Sequence, residues 1–399
     1  MPVLLPFRAW LPAHPAQASL PIGSYSQKQV DEIRKNHPQA FLNVVFPPGT
    51  TKSRPEWHQS RKAWEDFKAK RLFLPQPTPA FFLYTQVAGD HTYTGIIGLA
   101  STADFDKSII RRHEDTLRDK EKLLYRYLQI LRIQAEPVYL LFQDDEGWTR
   151  LLNQIPPSPP RMDFQDILGR RHILHTLSDP QTLSSFTEYF SGCPAFYIAD
   201  GHHRCAASAL CGRETGHQGP ESLFLAAVVP MSGIRPDAFS RLVIPYQGAP
   251  DVSEILNKAQ LHFFIEGPNP SPHPEAYANL CLSGHWYSLT PRHSPVYLFG
   301  LMGRVPAFVL NELILKPIFE ISDFRSDRRL RYVGGPPDFS TLTRESSTGK
   351  ILAALTMQPV AMADFQAVSD AHLAMPPKST WFLPKFLTGL TVYEYHDPA

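Results

Sequence analysis

The sequence has few of the features that mark secreted, zinc-binding or membrane-spanning proteins. Its 399 residues include four cysteines, none in a Cys-x-x-Cys pair, so we expect neither a disulfide framework nor structural zinc. No apolar run approaches the roughly 20 residues that a membrane-spanning helix requires. The first 12 residues are interrupted by prolines and lack the apolar core of a signal peptide, so we expect a cytoplasmic protein.

An excess of charge of either sign is also missing. The chain has 39 lysines and arginines against 38 aspartates and glutamates. Affinity for nucleic acid depends mainly on neutralising phosphates, so a near-neutral chain gives no reason to expect DNA or an anionic membrane as a partner. We therefore expect small-molecule partners, and the sequence does not indicate an oligomeric state.

Proline, in contrast, is abundant, with 39 residues clustered at 47–79, 156–160, 268–274 and 376–377. Such clusters indicate connectors, because proline lacks an amide donor and restricts the residue before it. The chain also exceeds the usual size of one domain. We predict a mixed α/β (α+β) fold in two domains, 1–245 and 246–399.

Apolar periodicity between the proline clusters predicts alternating helices and strands. Helices are predicted at 56–71, 117–133, 180–190, 204–210, 308–319 and 362–371. Strands are predicted at 81–86, 93–100, 137–142, 172–177, 195–199, 223–229, 297–299, 352–357 and 390–395. Connectors are predicted at 156–160 and 266–274.

The most distinctive segment joins an apolar strand to an alanine-rich helix through Asp200-Gly201-His202-His203-Arg204. Backbone amides at a helix N-terminus favour an anion, Gly201 permits a tight turn, and Arg204 offers a planar fork suited to phosphate. Asp200 could hold a divalent metal or orient a histidine. The structural alternative is that Asp200 caps the helix and Arg204 pairs with a nearby carboxylate.

A second segment, 109–120, passes from an apolar stretch to His113-Glu114 and then to a charged helix. Its carboxylate is a candidate general base for a hydroxyl group. Taken alone, the segment is more typical of a well-capped helix start, with Asp115 or Thr116 as the cap.

Two further segments carry cations close to turns. Residues 323–335 concentrate arginines before a Gly-Gly turn, and residues 375–385 form a proline-bounded loop that presents Lys378, Ser379 and Thr380. Either segment could meet phosphate. Taken alone, each is more typical of an exposed loop.

In these four segments the chain resembles the bacterial and archaeal family named domain of unknown function 1015. The family's Tyr-Ile-Ala-Asp-Gly-His-His-Arg stands here at 197–204, and its His-Glu-x-Thr before a basic helix stands at 113–116. Its Asp-x-Arg/Lys to Gly-Gly stretch matches 327–335, and its closing Pro-Pro-Lys-Ser-Thr-x-Phe-x-Pro-Lys matches 376–385. The N-terminal Pro-Tyr-Asp-Val of the family is altered here at 20–25, so any role of its aspartate is absent or moved.

The Asp-Gly-His-His-Arg segment resembles, more distantly, the ParB/sulfiredoxin-like superfamily and in particular its free-serine kinases. The resemblance implies a ParB/sulfiredoxin-like central domain with an N-terminal extension and an additional C-terminal α/β layer. It implies that Glu114 is the base for a serine hydroxyl, with His113 and Asp200 as the other catalytic candidates. It also implies that 200–204 bind nucleotide phosphates and Mg²⁺, with Asp200 as the metal ligand. ATP or ADP is the implied phosphate donor and free L-serine the leading acceptor. The two segments lie farther apart here than in those kinases.

Ligand pockets favour domain junctions, so we expect the other cationic segments to reach the same cleft. The residues expected to contact phosphate or nucleotide there are Arg328, Lys378, Ser379 and Thr380.

Two alternatives come from the same superfamily. A nucleotide- or DNA-associated protein without kinase activity would resemble the partition proteins, but only Arg325–Arg331 forms a basic cluster, which argues against it. A sulfiredoxin-like reductase would need a cysteine where His202 stands, and Cys205 is expected in the core. A small-molecule phosphotransferase is therefore the favoured prediction.

Overall fold

The computed structural model describes residues 1–47, 49–51 and 55–395. It has a mixed α/β fold, as predicted. Part of the predicted 47–79 connector, positions 48 and 52–54, lies outside the described residues. Within the described ranges, every helix falls short of the length and hydropathy needed to cross a bilayer.

The strands, in chain order, are β1 Leu4–Leu5, β2 Trp10–Pro12, β3 Phe73–Pro75, β4 Phe81–Ala88, β5 His91–Ser101, β6 Ile110–Arg111, β7 Ile133–Gln134, β8 Val138–Phe142, β9 Met162–Gln165, β10 Arg171–Leu177, β11 Phe196–Asp200, β12 Leu223–Pro230, β13 Phe239–Val243, β14 Phe263–Asn269, β15 Ala278–Leu282, β16 His285–Pro291, β17 Leu330–Gly334, β18 Ala353–Met357 and β19 Tyr393–Glu394. The helices are α1 Gln27–Asn36, α2 Leu42–Val45, α3 Trp57–Ala69, α4 Thr102–Asp106, α5 Arg118–Leu131, α6 Glu146–Gln154, α7 Pro180–Gly192, α8 His202–Glu214, α9 Val252–Ala259, α10 Pro295–Phe299, α11 Pro306–Leu310, α12 Lys316–Phe319, α13 Phe339–Ser347 and α14 Met362–Asp370. A π-helical turn, Asn311–Leu315, joins α11 to α12.

The chain forms two compact units. Unit 1 contains the residues from Met1 to Arg112, from Thr116 to Ile234 and from Pro384 onward, and unit 2 contains His113–Asp115 and Arg235–Leu383. The domain division at 245–246 stays a prediction. Each unit combines segments that are not contiguous in sequence. The residues from Pro384 onward follow unit 2 along the chain but belong to unit 1, and His113–Asp115 lie between two segments of unit 1 but belong to unit 2.

Unit 1 is built on a nine-stranded sheet. Its strand order is β6-β11-β8-β12-β5-β4-β10-β9, with β1 added alongside β5. The predicted hairpin of β4 and β5 is confirmed, and its strands pair from Phe82↔Ile97 to Ala88↔His91. β8 reads as a continuous apolar run because all five of its residues are buried.

Aromatic side chains from α6 and α7 cover one part of this sheet. Phe142 of β8 makes edge-to-face contacts with Trp148 and Phe190 at centroid distances of 5.2 and 5.4 Å. Cys205 of α8 belongs to the same core, as expected. All four cysteines are buried and free.

The C-terminal segment of unit 1, residues 384–395, runs back along the N-terminal half of the chain. Ser19 and Thr388 exchange backbone hydrogen bonds, and Val392 pairs with Trp10. The segment ends with β19, which pairs with β7. The strand predicted at 390–395 is reduced to the two residues of β19, because the residues before it form isolated β-bridges and not a continuous ladder.

Unit 2 contains a six-stranded antiparallel sheet of order β14-β16-β15-β18-β13-β17. Alternate residues of the interior strand β13 point to opposite faces of the sheet. Val243 packs in one core with Val309 and Ile314 of the α11–α12 run, and Leu242 packs in a second core with Leu342 of α13. The predicted 308–319 helix is therefore present, with a π-helical turn at its middle.

One predicted element in this half of the chain is wrong, and another is shifted along the sequence. Residues 297–299 belong to helix α10, because Pro295 presets the first helical turn and Ser294 accepts backbone bonds from Tyr297 and Leu298. A three-residue apolar run does not distinguish a strand from a helical turn. The 266–274 connector begins later than predicted, since β14 continues to Asn269 past an irregularity.

We expect Glu394→Gln to weaken the fold of unit 1. The Glu394 carboxylate is 3% exposed and lies 2.9 Å from Lys68 Nζ, 3.2 Å from Arg61 Nη1 and 3.1 Å from Trp64 Nε1. We expect the free energy of unfolding to fall by about 3 kcal/mol, the lower end for a broken buried ion pair, because both cations reach solvent. Denaturant unfolding measures this change.

Glu65→Gln is the matched control, because Glu65 pairs with the same two cations while its side chain is 47% exposed. We expect a loss of less than about 1 kcal/mol. Equal losses in the two variants would show that the buried Glu394 carboxylate contributes no more to stability than the exposed Glu65 carboxylate.

Candidate functional site

Strand β11 ends at Asp200, and helix α8 begins two residues later at His202. The joint is Gly201, whose left-handed backbone, with φ 95° and ψ 24°, makes it the N-cap of α8 without a side-chain cap bond. Alanines and small residues after it favour the helix. His202 and His203 are half-buried in its first turn. The predicted junction of strand, tight turn and helix is confirmed.

Asp200 forms an ion pair with a residue to which sequence reasoning gave no role. Lys385 Nζ lies 2.7 Å from Asp200 Oδ2, and the two side chains are 18% and 43% exposed respectively. The next residue, Phe386, packs against Tyr84 and Tyr139 at centroid distances of 5.4 and 5.1 Å. This aromatic contact fixes the backbone that carries the lysine. The sequence signal that could have identified Lys385 was its position as the last residue of the 376–385 segment.

The alternative that Asp200 caps α8 is wrong, since the cap position belongs to Gly201. The alternative for Arg204, pairing with a carboxylate, is correct. Arg204 Nη1 lies 3.1 Å from Glu136 Oε1 and donates to the Glu136 and Pro137 carbonyls at 2.9 and 2.6 Å. The other edge of its guanidinium lies across Gly201. A contact between Arg204 and phosphate stays a prediction.

A magnesium ion would fit this junction only if a bound nucleotide and water supplied most of its ligands. The described residues contain no group of three or more His, Cys, Asp or Glu side chains that could hold a metal. Mg²⁺ bound with a nucleotide needs one or two carboxylates, the remaining ligands being phosphate oxygens and water. Asp200, which is partly exposed, suits that role, with Lys385 beside it as a competing cation.

The His113-Glu114 segment belongs to unit 2. Glu114 forms an isolated parallel β-bridge with Met375, and the Met375 amide donates to the His113 carbonyl at 2.7 Å. The His113 ring is 1% exposed, with Nε2 3.0 Å from Thr380 Oγ1 and the Phe365 ring 4.8 Å away. The structure therefore brings together two of the segments singled out in the sequence, 113–114 and 375–380.

Glu114 is half-buried, and its charge acts on Tyr332 of β17. Burial raises the pKa of Tyr332 to about 12, with Arg241 lowering it and Glu114 raising it. The helix-cap explanation for this segment is wrong. Helix α5 begins at Arg118 after Leu117, which makes no side-chain cap bond, while Asp115 pairs with Arg325 at 3.3 Å.

The remaining candidate residues of unit 2 have varied surroundings. Ser379 is buried and its hydroxyl donates to the Pro376 carbonyl at 2.7 Å. Lys378 is exposed with Nζ 5.2 Å from the centroid of the Phe239 ring. Arg328 is also exposed, whereas its neighbour Arg329 pairs with Asp327 at 2.7 Å. Their phosphate contacts, and a single cleft shared with 200–204, stay predictions.

A family model described as "Protein of unknown function (DUF1015)" matches residues 4–312. The chain belongs to this DUF1015 family. The resemblance proposed from the sequence is thereby confirmed. The matched range includes the segments at 109–120 and 197–204 and ends before the segment at 375–385. No curated protein matches the chain.

Solved structures with a similar chain path include a free serine kinase in complex with AMP, with 11% identity, TM-score 0.36, and coverage of 72% of this chain and 87% of that chain. A conserved hypothetical protein from Pyrococcus furiosus has 13% identity, TM-score 0.34, and coverage of 72% and 90%. A C-terminally truncated SbnI from Staphylococcus aureus has 11% identity, TM-score 0.37, and coverage of 72% and 82%. At these values the likeness is distant and carries no functional assignment.

We expect Gly201→Ala to destabilise the DUF1015 protein by about 2 kcal/mol or more. About 1 kcal/mol comes from a left-handed alanine, and the rest from displacing Arg204, since a Cβ here would lie 3.1 Å from its guanidinium. Gly216→Ala is the control, because Gly216 has φ +62° with no atom within 4 Å of such a Cβ. We expect a loss of about 1 kcal/mol there. Thermal and denaturant unfolding compare the two variants, and equal losses would rule out the Arg204 contribution.

Proposed function

We propose that this protein is a small-molecule kinase that transfers a phosphoryl group from ATP or ADP to a hydroxyl acceptor, with free L-serine as the leading candidate. The observation that carries the proposal is the ion pair of Asp200 with Lys385, beside the N-terminus of α8. The resemblance of the 113–116 and 197–204 segments to those of free-serine kinases supplies the acceptor class.

The junction after β11 combines the groups that a phosphate ligand needs. Lys385 is a compact cation, and the first turn of the 13-residue helix α8 follows a glycine cap that supplies no side-chain oxygen. Backbone amides at such a terminus and a nearby ammonium both favour an anion. Gly201 also allows the backbone to approach the ligand closely.

Phosphoryl transfer depends mainly on positioning and charge stabilisation. Asp200 is the residue proposed to hold Mg²⁺, which when bound neutralises phosphate charge. Glu114 is proposed to accept the proton of the attacking hydroxyl. His113, held by Thr380 at 3.0 Å, is proposed to fix the backbone that carries Glu114.

The direct test incubates the purified full-length protein with ATP or ADP, MgCl₂ and L-serine, alongside a panel of other hydroxylated metabolites. Mass spectrometry and ³¹P NMR detect a phosphorylated acceptor. We expect product with one donor and a narrow group of acceptors. Nucleotide binding without any product would contradict the kinase and favour a nucleotide-binding protein.

We expect Lys385→Met to weaken nucleotide binding by about 10-fold or more, because a hydrogen bond to a charged group is lost. Lys385→Arg should retain part of the affinity. Lys258→Met is the control, since Lys258 also pairs with a carboxylate at 2.7 Å but lies exposed on α9. Calorimetric titration with ADP measures the three affinities. Unchanged binding in Lys385→Met would remove this lysine from the site.

We expect Glu114→Gln to lower turnover by at least about 100-fold, with nucleotide affinity little altered, because the variant keeps the shape of the side chain and loses the base. Asp115→Asn is the matched control, because this adjacent carboxylate is 49% exposed and pairs with Arg325. Steady-state kinetics and nucleotide titration measure both effects. Near-normal turnover in Glu114→Gln would exclude it as the base.

A further inference from the structure

A buried arginine crosses the core of unit 2. Arg241 lies on the interior strand β13, between β17 and β18, and its side chain is 0% exposed. It shares the face of Val243, two residues along, which packs against the α11–α12 run. A charged side chain therefore occupies a position in the sheet that apolar residues otherwise fill.

The surroundings of Arg241 do not balance its charge. Nε donates to Asn311 Oδ1 at 3.0 Å, Nη1 donates to the Phe239 carbonyl at 3.2 Å and to Met357 Sδ at 3.6 Å, and the Tyr332 ring centroid lies 5.4 Å away. Each of these partners is neutral. Burial lowers the pKa of Arg241 to about 10, so the guanidinium remains charged at neutral pH.

The part of the chain that the structure describes supplies no carboxylate within ion-pair distance of Arg241. Buried charges in proteins are normally paired, because an uncompensated charge is costly to desolvate. The buried carboxylate of Glu394 follows that rule with Lys68 and Arg61. Within the described ranges Arg241 has no such partner, and its buried charge requires an explanation.

Two hydrogen-bond donors at this position have no partner among the described residues. They are Arg241 Nη2 and Asn311 Nδ2, and both belong to fully buried side chains. Nη2 lies on the same edge of the guanidinium as Nε, and Nδ2 belongs to the amide whose oxygen accepts from Nε. The two open donors therefore lie within about 6 Å of each other, a separation that one small acceptor can bridge through two hydrogen bonds of about 3 Å.

Asn311 is the first residue of the π-helical turn Asn311–Leu315. Such widened turns are rare in proteins, and those that occur are frequently found at functional sites. The turn places a polar amide on a helix that otherwise presents Leu310, Leu313 and Ile314 to the core. The helix and the strand thus each contribute one polar residue, and the two meet.

We propose that Arg241 and Asn311 form a buried binding site for a small monovalent anion, either a halide or a short carboxylate. The anion supplies the negative charge that the described residues lack and accepts from both open donors. A buried water would satisfy a donor but leave the charge unbalanced. The site lies within unit 2, and the proposal does not rest on the kinase activity.

The test is thermal unfolding of the full-length protein at constant ionic strength, in sodium chloride, sodium acetate or sodium gluconate. An anion that binds only the folded state raises the melting temperature with its concentration, by about 1 to 2 °C for each tenfold increase above its dissociation constant in a chain of this length. We expect stabilisation by chloride or acetate and none by gluconate, which is too bulky for an enclosed site. The more effective of the first two identifies the ligand class.

Asn311→Asp is the decisive variant, because it places a carboxylate beside Arg241 at almost unchanged volume. We expect it to abolish the dependence on chloride and acetate and to raise the melting temperature in gluconate. Asn279→Asp is the matched control. Asn279 is another buried asparagine of unit 2, whose amide is fully engaged with the His273 backbone, so the anion dependence should persist.

Equal melting temperatures of the unaltered protein in all three salts would overturn the proposal and leave a buried water as the partner. An Asn311→Asp variant that keeps the full anion dependence would overturn it too. A crystal grown in bromide gives an independent measurement, with an anomalous peak expected in contact with Arg241 Nη2.

Discussion

The ion pair of Asp200 with Lys385 joins residues 185 positions apart, and the candidate phosphate site of unit 1 depends on it. Neither residue could reach the other without the return of the C-terminal segment into unit 1. That return is fixed by Phe386 between two tyrosines, by the exchange of bonds with Ser19, and by the buried carboxylate of Glu394. The lysine is thus positioned by packing on both sides.

Glu136 extends the same arrangement to Arg204. Its carboxylate accepts from Thr388 Oγ1 at 2.9 Å through one oxygen and pairs with Arg204 through the other. The C-terminal segment therefore holds two of the charged groups around the start of α8. The Arg204 guanidinium packs across the turn at Gly201. Lys385 pairs with Asp200.

Arg241 of unit 2 differs from the shielded carboxylates of Glu394 and Asp166 in unit 1. In unit 1, buried or half-buried ions such as Glu394 and Asp166 have charged partners, and hydrogen bonds from Arg170 and His172 lower the pKa of Asp166 although burial acts to raise it. In unit 2, Arg241 is surrounded by neutral groups and open donors. Because proteins tolerate an unbalanced buried charge only at a cost, this contrast supports the anion site proposed beside Arg241 and Asn311.

The sequence by itself determined most strands of the unit 1 sheet and the local junction at 200–204. Apolar periodicity and the glycine turn specify α7, β11 and α8 through contacts between near neighbours, so these were predictable. The sequence also predicted Glu114 as a candidate but could not show that 113–115 joins unit 2, because a bridge to Met375 is a contact across more than 250 residues. Only the tertiary structure decided the partners of Asp200, Arg204 and Arg241. Ion pairs and open donors depend on which distant side chains a fold brings within about 4 Å, and residue spacing along the chain carries no record of that distance.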